Sequence, residues 1–158
     1  VLDLIPDIGR RVYPVGRLDM DSEGLLILTD DGELAFGLTH PSRQAPKTYL
    51  VRLKRRATSD DLDRLAHGIR LDDGPTLPAK ARFADETGKL VEIEMREGRK
   101  RQVRRMFAFL GNQVVRLTRI ALGCVELGRL PEGTCRELTR EEIEGLKRLL
   151  QQSDAERR

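Results

Sequence analysis

Two absences narrow the class of protein before any motif is considered. Only two cysteines occur, Cys124 and Cys135, and their spacing fits neither a zinc site nor a disulfide framework. No secretory signal is recognisable, and no apolar run is long enough to span a bilayer. We therefore expect a protein of the cytoplasm, where thiols stay reduced, with no membrane partner.

The sequence also lacks internal repeats and low-complexity tracts, which favours one ordinary folded domain. Its 158 residues suffice for a single domain, and 39% of them are hydrophobic, enough for a real core. Strand-like runs alternate irregularly with helical patterns, which predicts an α+β fold: a mostly antiparallel sheet with flanking helices. We expect the domain to cover residues 1–152 and a flexible tail to cover 153–158. The predicted strands are 25–29, 48–53, 76–85, 89–97, 112–123 and 133–138, and the predicted helices are 32–40, 58–69, 99–110 and 139–152. Thr139 and Glu142, three residues apart, predict a capping box at the start of the last helix.

Charge is plentiful but unevenly distributed. The chain has 29 Lys and Arg against 26 Asp and Glu. Residues 1–40 carry eight acidic and three basic side chains, whereas residues 96–119 carry eight basic side chains and one acidic. A block of one sign indicates a polyanion such as nucleic acid as the partner; a solvated helix face is the alternative. The basic side chains of the block are Arg96, Arg99, Lys100, Arg101, Arg104, Arg105, Arg116 and Arg119.

The stretch RLDMDSEGLLILTD, residues 17–30, resembles a calcium-binding EF-hand loop at its acidic positions. Its flanks argue against that interpretation. Pro14 and Gly16 interrupt the helix that would enter such a loop, and the LLILT run after it is typical of a buried strand. We therefore expect no metal here, which leaves open why Asp19 lies in a tight loop directly before a strand.

The predicted helix 99–110 suggests a partner for that carboxylate. Arg101 and Arg105 fall on its solvated side, and Gln102 and Arg104 fall on the two shoulders of its apolar stripe. A shoulder Arg can bury its stem, and it then needs a carboxylate because an unpaired buried charge is costly. We expect Asp19 to be that partner of Arg104. The stripe, with apolar residues at i, i+3, i+4 and i+7, consists of Val103, Met106, Phe107 and Leu110.

Three stretches, in this order, resemble the RsuA/RluB family of ribosomal RNA pseudouridine synthases: YPVGRLDMDSEGLLILTDDGEL, KTYLV and EGRKRQVRRMFAFLGNQVVRLTRIALG. The uninterrupted form of the third most resembles the RluB-type branch, which acts on large-subunit RNA. Family members also carry a small S4-type RNA-binding domain and a Lys-Pro-x-Gly segment ahead of these motifs. Neither is found in these residues, so the resemblance implies a pseudouridine synthase catalytic domain that is N-terminally truncated.

The resemblance implies site-specific isomerisation of uridine to pseudouridine in ribosomal RNA, most similar to the enzymes of the large subunit (23S). The Asp of GRLD, Asp19, corresponds to the family's nucleophile, and a carboxylate can serve as a covalent catalyst. The Arg of Gln-Val-Arg, Arg104, would keep that carboxylate ionised. Tyr49 of KTY would stack on the target uracil; a tyrosine of the strand core is the alternative. The reaction neither oxidises nor hydrolyses, so no cofactor or metal is implied.

The same resemblance implies a structured ribosomal RNA as the partner. A uridine in folded RNA must be flipped into the pocket, which favours a loop or bulge over a continuous duplex. We expect a monomer. Two alternatives stay open: a synthase of the same family that acts on small-subunit RNA, and a non-catalytic RNA-binding module. The side chains expected to contact RNA are Arg17, Lys47, Arg99, Lys100, Arg101, Arg105, Arg116 and Arg119.

Overall fold

Residues 2–156 are described by a computed structural model, and they form four α-helices and ten strands. Two short 3₁₀ helices, Leu2–Leu4 and Pro41–Arg43, complete the elements. Within this part of the chain, no helix has the length and apolar character that crossing a bilayer requires. The helices are α1 (Gly32–Thr39), α2 (Ser59–His67), α3 (Gln102–Phe109) and α4 (Arg140–Glu156). The strands are β1 (Tyr13–Pro14), β2 (Glu23–Gly24), β3 (Leu28–Thr29), β4 (Lys47–Leu53), β5 (Arg70–Leu71), β6 (Gly74–Pro75), β7 (Lys80–Phe83), β8 (Leu90–Met95), β9 (Val114–Leu122) and β10 (Val125–Glu126).

The main sheet confirms the predicted α+β fold and its mostly antiparallel pairing. Its strands lie in the order β10–β9–β4–β8–β7, and each neighbouring pair in that order is antiparallel. Strand β2 also pairs with β9, and it runs parallel to it. Strands β1 and β3, and strands β5 and β6, form two small antiparallel ribbons. Strand β9 therefore joins the central strand β4 to the N-terminal part of the chain.

Two helices begin with a capping box, in which the first side chain and a carboxylate three residues later cap each other's main-chain N–H. At α2, Thr58 and Asp61 exchange these hydrogen bonds at 3.0 and 3.1 Å. At α4, Thr139 and Glu142 do the same at 2.8 and 3.1 Å, as the sequence predicts. The hydrogen bond from Arg136 is the largest of the interactions that lower the pKa of Glu142 to about 2.

Two apolar clusters hold the fold together. The first packs α2 and α3 against β4, β8 and β9, and it confirms the apolar stripe predicted for α3, with Leu110 at its border. The second joins α1 and α4 to residues 15–27 and to the end of β9. Each large apolar side chain buried in these clusters stabilises the fold by about 2 kcal/mol. Because residues 15–27 contain the acidic loop, the second cluster fixes the chain on both sides of it.

Two of the predicted strands are not found as expected. Residues 25–29 do not form one strand, because β2 and β3 on either side of a break pair with different neighbours, β9 and β1. Leu25 and Ile27 are nevertheless buried, as their apolar run suggests. Residues 133–138 form a turn and irregular structure rather than a strand. The sheet ends instead at the short strand β10, which follows β9 directly and pairs with it.

Helix α4 continues four residues past the boundary predicted at residue 152. Its last turn is held by the loop after α1. Ser153 Oγ donates to the Arg43 carbonyl at 3.1 Å, and the Arg43 guanidinium forms an ion pair with Asp154. The first part of the expected tail is therefore helical, and its last residues, 157–158, lie outside the described residues.

Candidate active site

The acidic loop of residues 19–24 begins with a tight turn on the surface. The Asp19 carbonyl accepts a hydrogen bond from the Ser22 N–H at 2.9 Å. This bond closes a β-turn with Met20 and Asp21 at its two central positions. The side chains of Asp19, Met20 and Asp21 are all exposed. The turn thus presents three consecutive side chains to solvent in a conformation set by its own main chain.

Gly24 lets this turn dock against the sheet. Its φ is +113°, and a Cβ at this position would lie 2.2 Å from the Arg119 carbonyl oxygen. No residue with a side chain fits so close to the β9 main chain. The Leu25 N–H donates to the Arg119 carbonyl at 2.8 Å, and Arg119 Nε donates to the Leu25 carbonyl at 2.9 Å. The glycine therefore decides where the acidic turn lies relative to the sheet.

Two arginines near the start of α3 hold the turn through Asp21. The Arg101 guanidinium donates from both Nη atoms to the two carboxylate oxygens of Asp21, each at 2.9 Å. Arg104 Nη2 donates to the Asp21 carbonyl at 2.8 Å, and Arg104 Nε lies 3.5 Å from the Asp21 carboxylate. Bidentate pairs of this kind fix geometry as well as charge. The Arg101 hydrogen bond, aided by the charges of both arginines and opposed by desolvation, lowers the pKa of Asp21 to about 2.

Arg101 lies directly before α3 and has an unusual backbone conformation. Its φ of 52° is left-handed, so α3 begins at Gln102 rather than at residue 99 as predicted. A non-glycine residue in this region costs about 1 kcal/mol. The Gln102 Oε1 atom accepts from the Arg99 N–H at 3.0 Å and braces the turn before the helix. Arg101 is exposed, as predicted, but its guanidinium is engaged with a carboxylate.

The expected ion pair between Arg104 and Asp19 is wrong, because the carboxylate that faces the start of α3 is that of Asp21. Asp19 lies at the first position of the turn and is exposed rather than buried. Among residues 2–156, no side chain forms a hydrogen bond or ion pair with the Asp19 carboxylate. Its charge adds to the field at Arg101, whose pKa is raised chiefly by the hydrogen bond to Asp21. The carboxylate of Asp19 is therefore accessible to solvent and unpaired within residues 2–156.

The register of the sheet brings Tyr49 into line with the docked turn. Gly24 of β2 lies opposite Arg119 of β9. Arg119 in turn lies opposite Tyr49 of β4. Neighbouring strands are about 4.8 Å apart, so Tyr49 is about 10 Å from Gly24 across the sheet. Tyr49 is half-buried and packs at the border of the first apolar cluster, which leaves part of its ring accessible.

The basic side chains expected to contact RNA divide into free and engaged groups. Arg17 and Lys100 are exposed, and no carboxylate within residues 2–156 lies at ion-pair distance from either. Four others already hold carboxylates of the same chain, so the basic block is partly neutralised from within. These pairs are Arg99 and Arg105 with Asp73, Arg101 with Asp21, and Arg116 with Glu23.

The remaining two expected RNA contacts lie deeper in the fold. Arg119 is only 4% exposed, so it lacks the accessibility of an RNA contact and instead braces the junction between β2 and β9. Its Nη2 atom has no hydrogen-bond partner among the described residues. Lys47, at the start of β4, is half-buried. Desolvation, and to a smaller extent the charge of Arg119, lowers the pKa of Lys47.

Comparison with known families bears directly on this arrangement. The model of the family described as RNA pseudouridylate synthase matches residues 6–109, a span that includes Asp19, Tyr49 and Arg104. The chain belongs to this family. Its relatives include an uncharacterised RNA pseudouridine synthase of Aquifex aeolicus (strain VF5), 46% identical over 143 residues that cover 89% of this chain and 57% of the relative. They also include the ribosomal large subunit pseudouridine synthase B of Bacillus subtilis (strain 168), 42% identical over 153 residues that cover 94% of this chain and 63% of the relative.

This pseudouridylate synthase family member thus spans 57% and 63% of the length of those two relatives. A solved crystal structure of a pseudouridylate synthase matches with a TM-score of 0.85 and 41% identity, over 91% of this chain and 64% of that chain. The human RNA pseudouridylate synthase domain containing 1 matches with a TM-score of 0.51 at 17% identity, which supports the fold alone. The α+β fold predicted from the sequence is therefore the fold of a pseudouridylate synthase.

Two residues that build the candidate site do not stand out in the sequence. Asp21 is one of three carboxylates in a short loop, and nothing in the spacing selects it over Asp19 as the partner of Arg104. Gly24 carried a weaker but usable signal, because an isolated glycine beside a strand indicates a close backbone approach. The partner that it approaches, Arg119, is 95 positions away and is visible only in the fold.

Proposed function

We propose that this domain converts uridine to pseudouridine in ribosomal RNA, at a position in the large subunit. The observation that carries the proposal is the Asp19 carboxylate: exposed, unpaired among residues 2–156, and located on a turn that two arginines and a sheet junction anchor. Relatives from Bacillus subtilis and from Xanthomonas axonopodis pv. citri are named ribosomal large subunit pseudouridine synthases B and E, which supports the choice of substrate.

The reaction needs one nucleophile and moves no atom out of the RNA. The Asp19 carboxylate attacks ribose C1′ as the bond from C1′ to uracil N1 breaks, and the electron pair leaves with the base. The base turns so that its C5 faces C1′, a C1′–C5 bond forms, and the carboxylate is released. C5 loses its proton and N1 gains one, so the product is an isomer of the substrate. Tyr49 stacks on the base during the turn and assists removal of the C5 proton.

Arg104 and Arg101 act on this step as positioning residues. Both bind Asp21, two residues from Asp19, and so hold the main chain from which the nucleophile projects. Their positive charges also favour the ionised form of Asp21, whose pKa is lowered to about 2. In this proposal Arg104 has an indirect role: it fixes the turn through Asp21 rather than pairing with the nucleophile.

The substrate is a uridine that can leave its helix, in a loop or bulge of structured ribosomal RNA. Arg17 and Lys100 are free to bind phosphates beside the flipped nucleotide. The arginines paired with Asp21, Asp73 and Glu23 are partly neutralised by these carboxylates, so Arg17 and Lys100 are the main phosphate contacts of the proposal. The domain acts as a monomer in the cytoplasm and without a cofactor, in keeping with a reaction that consumes no second substrate.

Pseudouridine mapping at nucleotide resolution tests the proposal. Ribosomal RNA from cells that lack the gene should lose one or more pseudouridines of the large subunit, and the wild-type gene should restore them. Asp19→Asn should restore none, a loss of at least a thousandfold in rate, because an amide is a far weaker nucleophile. The same variant should bind RNA at least as well as the wild type, because one negative charge near phosphates is removed.

Three outcomes would contradict this assignment in different ways. A lost site in small-subunit RNA would favour the sister enzyme of that subunit. Unchanged modification in the deletion strain, with RNA binding intact, would favour a non-catalytic binding module. Full restoration by Asp19→Asn would remove Asp19 as the nucleophile.

A further inference from the structure

Met20 is the most exposed large apolar side chain in residues 2–156. Its exposed fraction is 103%, and the next values are 58% for Leu4 and Val115. An isolated apolar side chain on a protein surface needs no explanation by itself. Met20, however, is directly bonded in sequence to Asp19, and the Cα atoms of consecutive residues are about 3.8 Å apart. An apolar side chain therefore stands in solvent next to the carboxylate that must reach the target nucleotide.

The turn around Met20 is anchored on both sides, so its exposure is a property of the fold. The hydrogen bond from the Ser22 N–H to the Asp19 carbonyl places Met20 at the apex of the turn. Immediately after it, Asp21 is held by its carboxylate and by its carbonyl. Before the turn, Leu18 is half-buried. The chain thus turns one apolar side chain inward, at Leu18, and one fully outward, at Met20.

We propose that Met20 is a wedge that enters the RNA stack when the target uridine is flipped out. The inference rests on the proposed function, and it names the group that stabilises the opened RNA. Proteins that unstack nucleic acid insert apolar side chains, Met among them, between base steps. A flipped base leaves a gap in the stack, and its neighbours lose their stacking partner. An apolar side chain beside the nucleophile fills that gap at the moment when Asp19 meets C1′.

The chemistry of methionine suits this role. Its unbranched thioether adapts to irregular spaces and makes favourable contacts with aromatic rings, here the faces of the neighbouring bases. Because the sulfur and methyl group carry no charge, they lose little hydration on entering the stack. The side chain carries no hydrogen-bond donor and so reads no base sequence, which makes Met20 a determinant of opening rather than of recognition.

Two RNA substrates distinguish a role of Met20 in opening the stack from a role in the chemical step. One substrate is a stem-loop transcript that contains the uridine identified by mapping; the other is an unstructured oligonucleotide with the same uridine, where no stack must open. At saturating RNA, Met20→Ala should lower the single-turnover rate about tenfold on the stem-loop and by less than about twofold on the unstructured RNA. Met20→Leu should retain the rate on both, because leucine is also apolar and similar in volume. Val115→Ala, a change at another exposed apolar side chain outside the site, should leave both rates unchanged.

Equal losses for Met20→Ala on both substrates would overturn the proposal, because Met20 would then act by positioning Asp19. An unchanged rate on the stem-loop would overturn it as well.

A second measurement reads the opening of the stack without any turnover. The stem-loop carries 2-aminopurine next to the target uridine, and its fluorescence rises when the stack opens. Bound to the Asp19→Asn protein it should brighten, and bound to the Asp19→Asn, Met20→Ala double variant it should lose at least half of that rise. Equal fluorescence in both complexes would refute the wedge even if pseudouridine forms. Conversely, a rise that depends on Met20, together with no pseudouridine from the wild type, would leave the wedge intact and refute the proposed reaction.

Discussion

The turn of residues 19–24 and the hairpin of β5 and β6 are attached to the start of α3 by the same chemistry. In the hairpin, Arg105 forms a bidentate pair with the Asp73 carboxylate at 2.8 and 3.1 Å, and Arg99 Nη1 donates to the Asp73 carbonyl at 3.2 Å. In the turn, Arg101 likewise donates to both carboxylate oxygens of Asp21, while Arg104 donates to the Asp21 carbonyl. Four arginines of one basic stretch thus hold two acidic turns of their own chain.

The two regions differ in which atoms pack against the glycine near each aspartate, Gly24 in the turn and Gly74 in the hairpin. Gly24 and Gly74 have nearly the same backbone, with φ at +113° and +116°. A Cβ on Gly24 would meet the β9 main chain at 2.2 Å, whereas the nearest atom to a Cβ on Gly74 is Arg99 Nη1 at 3.8 Å. Strand β2 joins the main sheet, while β5 and β6 pair with each other in a separate ribbon. Arginine pairs orient an acidic turn, and docking of its main chain on the sheet is what fixes its position.

The largest expected effect is on the free energy of unfolding, and it differs between substitutions of Gly24 and Gly74. Gly24→Ala should lower the free energy of unfolding by about 3 kcal/mol, because it adds a backbone clash to the strain of positive φ. Gly74→Ala should cost about 1 kcal/mol, since it meets the strain alone. Denaturant unfolding of both variants measures the difference. Equal losses would mean that the sheet junction of β2 yields easily and does not fix the turn.

The two aspartates should differ in their effect on turnover. Asp21→Asn keeps the side-chain shape but weakens both arginine contacts, and loss of alignment at the nucleophile should slow single-turnover isomerisation about thirtyfold. Asp73→Asn makes the same chemical change in the hairpin and should alter the rate by less than about twofold. The comparison uses rates at saturating RNA. A large loss for Asp73→Asn would place the hairpin in the active site and end the distinction drawn between the two turns.

Substitutions of Arg104 and Arg105, which lie in α3 and bind the turn and the hairpin respectively, test the same difference between these two regions. Arg104→Ala should lower the rate about tenfold, and Arg104→Lys should recover part of it, since lysine restores charge without the two-pronged geometry. Arg105→Ala should instead reduce RNA affinity and its dependence on salt, and spare the rate at saturating RNA. Should Arg104→Ala affect only affinity, Arg104 would be a phosphate contact and the anchoring of Asp21 would rest on Arg101.

The smallest expected effect is on the stability of the fold at acidic pH. The pKa of Asp21 is lowered from 3.8 to about 2, so the ionised form favours the folded state. Its stabilising contribution is complete above about pH 4 and is lost as the pH falls through about 2. Carboxyl NMR titration should give that low midpoint for Asp21, and a pKa below the ordinary value for Asp73 as well, chiefly because of Arg105. In Arg101→Ala, which removes the largest cause of the shift, the pKa of Asp21 should rise; an unchanged pKa would contradict the ion-pair geometry.

The elements with strong local patterns could be predicted from the sequence, and those that depend on partners could not. The capping box at Thr139 and the apolar stripe of α3 depend only on residues close together in the sequence, and both are confirmed. The strand predicted at 133–138 is wrong because a strand also needs a partner, and among residues 2–156 no strand pairs with this segment. The break within residues 25–29 has the same origin, since β2 and β3 have different neighbours.

The candidate site shows the same limit at finer scale. Residue types and motif order were enough to select Asp19, Tyr49 and Arg104 as candidates, and their roles remain predictions. The pairing of charges was not predictable, because a run of arginines beside several carboxylates allows many pairings of similar energy. The fold selects one set of pairings, in which Arg101 binds Asp21 from a left-handed backbone that the propensity of arginine does not predict.

The parallel pairing of β2 with β9 has a consequence for how the protein is made. Leu25 and Arg119, which meet in that junction, are separated by 94 positions, and Arg104 and Asp21 are separated by 83. Contacts of such long range form slowly, because the intervening chain must be ordered before they can close. During synthesis, the GRLD segment leaves the ribosome long before the strand on which it docks. A chain still growing therefore carries Asp19 without the anchored turn, which reaches its final geometry only once β9 has been completed.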